Sequence, residues 1–139
     1  MNTEIRVRYQ ETDQMGVVYH ANYLVWFEVG RTSLIRELGY SYTGLEAKGL
    51  LLPVVDVGAQ FRRSAKYDDV VMVETSIKEL GPSKIVFEYS IRRKSDGQLL
   101  ATGHTKHLWV TKEMKRVRLP DYSPELYDQL EQLHLVNKA

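Results

Sequence analysis

One long helical pattern, apolar on more than one side, limits most strongly what this chain can fold into. It runs from about residue 22 to residue 38. The residues of its main apolar face, at spacings of three, seven and four, are Leu24, Phe27, Leu34 and Leu38. Tyr23, Trp26 and Gly30 widen that side, and a flat sheet behind the helix would leave much of it exposed. We therefore expect a sheet that wraps around this helix.

The segments on both sides of the helix alternate as β-strands do. Residues 4–9 form one predicted strand, with Ile5, Val7 and Tyr9 on one face. The later strands have the apolar faces Val55, Val57, Ala59, Phe61; Val71, Val73, Thr75, Ile77; and Ile85, Phe87, Tyr89, Ile91. A last strand covers residues 99–111, and turns at Gly81–Pro82 and Asp96–Gly97 predict antiparallel pairing. Ser123 and Pro124 predict the N-cap and first residue of a C-terminal helix.

The length favours one domain spanning residues 1–139, and the order of a strand, a long helix and a strand meander makes it an α+β domain. The formal net charge is +1, which gives no reason to expect nucleic acid as a partner. The chain has no cysteine, so disulfides, thiolate metal sites and cysteine nucleophiles are excluded. Its N-terminus lacks the apolar core of a signal peptide, and its apolar runs are too short to span a membrane. We expect a soluble, cytoplasmic protein with no membrane insertion.

Asp13 and His20 stand together just before the long helix and are the leading candidates for a site. Asp13 in a loop is often only a turn or capping residue, and a single histidine near a helix start is more often structural than catalytic. The alternative, that the two residues form a functional site, depends on their common position at the start of the helix. Backbone N–H groups around His20 would point out of the helix N-terminus, which is a place that binds anions or a developing oxyanion. The spacing alone leaves both interpretations open.

Other polar residues give weaker indications. We interpret Glu28 and Arg31, three apart on the helix, as a surface ion pair, with Glu28 a weak site candidate. His104 and His107 lie on one predicted strand and should face opposite sides, so we reject a metal site there. The basic clusters at residues 62–66, 92–94 and 112–118 are typical of solvated surfaces, although one of them could hold a phosphate. The remaining candidate phosphate contacts are Ser83 and Lys84.

The run around Asp13 and His20 resembles the signature of the 4-hydroxybenzoyl-CoA thioesterase family, and is most similar to its YbgC-like acyl-CoA thioesterase branch. The residues that carry the resemblance are Tyr9, Glu11, Thr12, Asp13, Gly16, Val17, Val18, Tyr19, His20, Asn22, Tyr23, Phe27, Glu28 and Arg31. The segment 61–69 also fits, except that Ser64 stands where the family often has proline. This family has the hotdog fold, an antiparallel β-sheet wrapped around one long central α-helix.

The resemblance implies an enzyme that hydrolyses an acyl-CoA thioester without a metal or other cofactor. It implies Asp13, His20 and Tyr9 as catalytic residues, with the His20 backbone amide polarising the thioester carbonyl. Tyr19, Ser83 and Lys84 would contact the substrate. It further implies a homodimer with the site at the subunit interface, often paired again into a tetramer. Two alternatives stay open, namely a hotdog protein that binds acyl-CoA without turnover and a hotdog hydratase or dehydratase.

Overall fold

The computed structural model describes residues 1–138, and side chains through residue 136. Ala139, the last residue of the predicted domain, lies outside the described residues. The strands are β1 (Asn2–Arg6), β2 (Val54–Phe61), β3 (Val70–Leu80), β4 (Lys84–Arg93) and β5 (Leu99–Leu108). The helices are α1 (Ala21–Glu37), α2 (Tyr42–Ala47), α3 (Leu119–Tyr122) and α4 (Pro124–Lys138). A short 3-10 turn covers Tyr9–Glu11 between β1 and α1.

All five strands form one antiparallel sheet in the order β1-β3-β4-β5-β2. The predicted meander is confirmed, because β3, β4 and β5 are consecutive neighbours joined by short turns. Gly81 closes the first turn by donating to the carbonyl of Lys84, and Gly97 adopts a positive φ of 70° in the second. β1 and β2 are the edge strands, so each has one side without a neighbouring strand among residues 1–138.

Helix α1 packs against the sheet through the apolar face predicted from its sequence. Tyr23, Trp26, Phe27 and Leu34 are all at most 3% exposed. Two members of the predicted main face depart from the prediction, because Leu24 is 39% exposed and Leu38 is only partly buried. Side chains of β3 approach the helix closely at Gly30. A Cβ at Gly30 would collide with Thr75 Oγ1 and lie 2.9 Å from Val73 Cγ1. Glycine at this position therefore lets the helix sit directly on the sheet.

The N-terminal strand was only partly predicted. It ends at Arg6, and the chain then enters the 3-10 turn, so Tyr9 does not continue the face of Ile5 and Val7. Val7 is buried at 1% exposure, whereas Tyr9 is 71% exposed and packs its ring 5.8 Å from that of Tyr67. The predicted strand was too long, because the alternation of apolar and polar residues continues into the 3-10 turn.

Three further predictions about the elements need correction. β2 alternates in sequence, yet Val54, Val55 and Val57 are all more than 40% exposed, because the helix does not cover this edge strand. The last strand ends at Leu108 and not at residue 111. Helix α4 starts after Ser123 as predicted, but the buried Ser123 hydroxyl has no hydrogen-bond partner among residues 1–138 and so does not cap it.

Candidate active site

Asp13 lies in a tight turn that leads into helix α1. Its Oδ1 accepts a hydrogen bond from the Met15 backbone N–H at 2.8 Å, and its own N–H donates to the Val17 carbonyl at 2.8 Å. Gly16 completes the turn with a positive φ of 78°. The turn therefore fixes Asp13 through its backbone and one carboxylate oxygen. Its second oxygen, Oδ2, makes no hydrogen bond to any described residue.

Glu11 anchors this turn to the helix, a role that the sequence analysis missed. Its side chain is 4% exposed. Oε2 accepts from the indole N–H of Trp26 at 2.8 Å, and Oε1 accepts from the Arg8 backbone N–H at 2.8 Å. The Glu11 carbonyl also accepts from the Tyr19 N–H and from the Asn22 side-chain amide. No periodic pattern in the sequence predicts this role of Glu11, because its partners lie 3 to 15 positions away and are of unrelated residue types.

His20 precedes the first residue of α1, as the sequence predicted. Its backbone is already helical, with φ −56° and ψ −32°, and its side chain makes no capping hydrogen bond. The backbone N–H of His20 donates to no acceptor among residues 1–138, so it is an unused donor at the positive end of the helix dipole. The imidazole is exposed, lies 4.5 Å from the Tyr19 ring and meets the Phe61 ring at 6.0 Å.

Asp13 and His20 line the same cavity, which has a volume of about 340 Å³. Its other lining residues are Met15, Val17, Val18, Tyr23, Phe61, Arg62, Arg63 and Ser64. The two candidate side chains make no hydrogen bond to each other in the part of the chain that is described. The cavity thus offers a carboxylate and a helix N-terminus side by side, without a paired acid–histidine dyad.

The segment that contains Ser64 and Ala65 is held by side chains of the sheet and of helix α1 and by the Val18 backbone. Ala65 donates its N–H to the Tyr23 hydroxyl at 3.0 Å, and its carbonyl accepts from the Val18 N–H at 2.9 Å. The Ser64 carbonyl accepts from the Arg93 guanidinium at 2.9 Å. Burial raises the pKa of the Tyr23 hydroxyl, so this residue stays a neutral structural donor and acceptor. Serine in place of proline at residue 64 leaves the segment well anchored.

The other residues predicted for the site lie elsewhere in this chain. Tyr19 borders the His20 ring but does not line the cavity. Tyr9 packs on Tyr67 outside it. Ser83 and Lys84 occupy the β3–β4 turn, where the Ser83 carbonyl accepts from the Trp109 N–H and Lys84 lies 3.6 Å from Glu79. Of the residues predicted for the site, the described part of one chain therefore brings together Asp13 and His20.

The two histidines of β5 face opposite sides of the sheet, as predicted. His104 is partly exposed and lies 3.0 Å from the Asp56 carboxylate. His107 is fully buried, with Nε2 2.8 Å from Thr105 Oγ1 and Nδ1 3.2 Å from the Leu52 carbonyl. Burial lowers the pKa of His107 to about 4, so it is neutral near pH 7. Within residues 1–138, no three histidine or carboxylate side chains are grouped closely enough to hold a metal ion.

Glu28 and Arg31 do not form the expected ion pair. No carboxylate oxygen of the described chain lies within 4.0 Å of the Arg31 guanidinium. Arg31 is half-buried and lies close to the hydroxyl groups of Tyr42 and Tyr89, where it opposes the effect of burial on their pKa values. The preferred surface interpretation of this pair was therefore wrong.

No helix in residues 1–138 combines the length and apolar character needed to cross a bilayer.

Comparison with known proteins identifies the family. The model of the thioesterase-like superfamily matches residues 7–130. The chain is 47% identical over 110 residues to a putative acyl-CoA thioesterase, YneP, of Bacillus subtilis, covering 79% of each chain. It is 40% identical over 92 residues to the acyl-CoA thioesterase YbgC of Haemophilus influenzae, covering 66% of this chain and 68% of that one.

A solved structure agrees with the fold. The DHNA-CoA thioesterase of Staphylococcus aureus superposes with a TM-score of 0.93 and 36% sequence identity, covering 99% of this chain and 92% of the other. The predicted resemblance and the hotdog fold are both confirmed. The chain therefore belongs to the thioesterase-like superfamily, the thioester hydrolases that its sequence resembles.

Proposed function

We propose that this protein hydrolyses an acyl-CoA thioester to the free acid and coenzyme A, with Asp13 as the catalytic carboxylate. One observation carries the proposal, namely that Asp13 and the start of helix α1 at His20 line one cavity. Acyl-CoA hydrolysis needs a nucleophile or base beside a group that stabilises negative charge on oxygen. These two features supply both requirements.

In this proposal the thioester carbonyl oxygen accepts a hydrogen bond from the His20 backbone N–H. Negative charge develops on that oxygen in the tetrahedral transition state, and a fixed donor at the positive end of a helix lowers its energy. The donor has no acceptor among the described residues, so no internal hydrogen bond has to break. Loss of one such donor typically lowers the rate by roughly 10²–10³-fold.

Asp13 then acts by one of two routes. As a nucleophile, its carboxylate attacks the carbonyl carbon, expels the coenzyme A thiolate and forms a mixed anhydride that water hydrolyses. As a base, it takes a proton from water, and the resulting hydroxide attacks the carbonyl while the leaving thiolate receives that proton. The free Oδ2 of Asp13 supports either route, since the turn occupies only Oδ1. The His20 ring would orient the thioester or the water.

We also propose that the working enzyme is a homo-oligomer, at least a dimer. The exposed apolar residues of α1 and β2 support this proposal. Leu24 and Val25 of the helix and Val54 and Val57 of the edge strand line one shared cavity, and Val29 and Val55 are exposed on the same two elements. Such a face, beside an unpaired strand edge, is typical of a contact with another chain.

Pairing of two chains would also explain the residues that one chain leaves apart. Tyr9, Tyr19, Ser83 and Lys84 are proposed to contact the substrate from the partner copy or from outside the cavity. Further pairing into a tetramer, and a cytoplasmic location, remain predictions. Arg62 and Arg63 line the Asp13 cavity itself and are additional candidates to meet the phosphates of coenzyme A.

A panel of acyl-CoA thioesters tests the proposal, with release of free thiol followed by a thiol-reactive dye. The panel contains short, medium and aromatic acyl groups. Turnover of at least one member by the wild-type protein supports a hydrolase. Tight binding of the panel without thiol release supports the binding protein, and addition of water to a 2-enoyl-CoA without thiol release supports the hydratase.

A further inference from the structure

Arg93, the last residue of β4, uses every nitrogen of its guanidinium group in a hydrogen bond. Nε donates to Asp69 Oδ2 at 3.1 Å, Nη1 donates to Asp96 Oδ2 at 2.8 Å, and Nη2 donates to the Ser64 carbonyl at 2.9 Å. The side chain is only 18% exposed. Ser64 lies 29 positions and Asp69 24 positions away in the sequence, so this one guanidinium group joins distant parts of the chain.

Arg93 holds the connection between β2 and β3, residues 62–69, at two points. This connection forms neither a helix nor a strand, so its position depends on contacts of this kind. The first point is the Ser64 carbonyl. The second lies further along, where the Asp69 carboxylate that accepts from Arg93 also accepts from the Lys66 backbone N–H at 2.9 Å. The planar, forked shape of the guanidinium group suits it to bind several acceptors at once.

The part of the connection held at Ser64 forms one wall of the Asp13 cavity. Arg62 and Arg63 line that wall, and both are exposed. Within residues 1–138, no carboxylate oxygen lies within 4.0 Å of either guanidinium group. Two cationic groups without an anionic partner, on the wall of a cavity, favour an anionic ligand there, and guanidinium groups match phosphate in geometry.

We propose that Arg93 is a positioning residue, which holds this wall so that Arg62 and Arg63 bind a phosphate of the carrier that bears the acyl group. The inference rests on the proposed thioesterase function and assigns the side of the cavity that recognises the carrier. Arg93 itself does not meet the phosphate, because its nitrogens already have acceptors and two carboxylates, of Asp69 and Asp96, lie against it.

Three carriers that differ in their phosphates test this inference. Pantetheine has no phosphate, 4′-phosphopantetheine has a terminal phosphate, and coenzyme A adds the phosphates of its nucleotide. The Kd of each free carrier is measured by calorimetry on the wild-type oligomer at low salt, where exposed charges are least screened. Coenzyme A should bind about 10-fold more tightly than pantetheine, as for a hydrogen bond between charged groups. The carrier at which the gain appears identifies the phosphate that is bound.

Arg93→Met should remove most of this phosphate preference and leave the Kd of pantetheine unchanged. Arg93→Lys should also lose it, because one ammonium group does not replace the three donors of the fork, and this variant carries the test if Arg93→Met does not fold. The matched control is Arg92→Met, which removes the same charge from the neighbouring exposed residue and should keep the preference.

A combined variant shows whether Arg93 acts through the two arginines of the wall. Arg62→Met with Arg63→Met should abolish the phosphate preference, and adding Arg93→Met should then change the Kd of coenzyme A no further. In turnover of matched thioesters, the Arg93 variants should raise KM for the coenzyme A thioester and leave kcat for the pantetheine thioester as in the wild type.

Equal affinity of the wild type for all three carriers would overturn the inference, although thiol release would still support the hydrolase. An undiminished preference in both Arg93 variants would overturn it too. So would an equal loss of affinity for pantetheine and coenzyme A, since a residue that only stabilises the fold gives that result, and so would an equal effect of Arg92→Met. The Kd values decide the inference even where no thioester is hydrolysed.

Discussion

The indole N–H of Trp26 donates to the Glu11 carboxylate at 2.8 Å, and this buried hydrogen bond ties the Asp13 turn to helix α1. The two residues lie in different segments, one just before the turn and the other in the second turn of the helix. The bond therefore sets the position of Asp13 relative to the helix N-terminus. Its strength is open to measurement, because the chain contains a second fully buried tryptophan without such a partner.

Trp26→Phe should destabilise the protein more than Trp109→Phe. Both changes remove similar volume from the core, but only the first leaves a buried carboxylate oxygen without its donor. The extra loss should be about 1–3 kcal/mol in the free energy of unfolding, measured by urea denaturation. Equal losses in the two variants would show that the Glu11 bond contributes little.

Gly30→Ala should also destabilise the protein, against the usual preference of helices. Alanine is favoured over glycine in a helix interior by roughly 1 kcal/mol. Here its Cβ would collide with Thr75 and Val73 of β3, and such overpacking typically costs about 1–3 kcal/mol. The net change in unfolding free energy should be a loss. Gly81→Ala serves as the control, since its nearest neighbour is the flexible Lys84 side chain at 3.3 Å. A more stable Gly30→Ala variant would contradict the close packing of α1.

Stability should fall as the pH is lowered from about 6.5 to about 4, in part because of His107. Burial lowers its folded-state pKa from 6.5 to about 4, and the nearby Arg31 charge acts in the same direction. Between these values the unfolded chain binds the proton and the folded chain does not, so unfolding becomes easier as the pH falls. The contribution amounts to as much as about 3 kcal/mol, fully present above pH 6.5.

Melting temperatures of the wild type and His107→Gln between pH 4 and pH 8 measure this effect. The melting temperature should depend less steeply on pH in His107→Gln than in the wild type. His104→Gln, which changes the partly exposed histidine, should keep the wild-type dependence. An unchanged slope in His107→Gln would assign the pH dependence to other groups.

Light scattering of the wild-type protein should give a mass of at least twice the 16.1 kDa of one chain. Val25→Lys places a charge on the exposed apolar face of α1 and should shift the mass toward the monomer. Val136→Lys is the matched control, because it changes an exposed valine on α4, away from that face. A wild-type monomer at micromolar concentration would contradict the proposed oligomer, and dissociation in both variants would argue against this particular surface.

The sequence predicted the elements whose periodicity was long and regular. The buried faces of β3 and β4 are those expected from alternation, and the buried side of α1 is the one expected from helical spacing except at Leu24, which is exposed. It failed where a local turn interrupts a pattern, as at Tyr9, and where burial depends on the neighbouring element, as on the edge strand β2. Periodicity describes which residues share a face but does not tell whether another element covers it.

The candidate site was predicted less completely, for a related reason. Asp13 and His20 are close in sequence, so the motif itself brought them together. Glu11 and Arg31 acquire their roles from partners on other segments, such as Trp26 for the first and Tyr42 for the second. Contacts of that kind follow from the packing of helix against sheet and leave no pattern in the local sequence.

His20→Ala should lower hydrolysis less than a change at Asp13. The substitution removes the exposed imidazole but keeps the backbone N–H that is proposed to meet the thioester oxygen. Steady-state kinetics with the best acyl-CoA of the panel measures the difference. A loss equal to or greater than that of the Asp13 variant would assign the imidazole a direct chemical role.

The most direct test of the proposed mechanism is the turnover of Asp13→Asn. Asparagine is nearly isosteric, and its side-chain oxygen still accepts from the Met15 N–H, so the turn should persist. An amide is neither a base nor a nucleophile of the required strength. We therefore expect acyl-CoA hydrolysis to fall by at least about 10²-fold, with little change in melting temperature or in acyl-CoA affinity. Full activity in Asp13→Asn would contradict the assignment of Asp13 as the catalytic carboxylate.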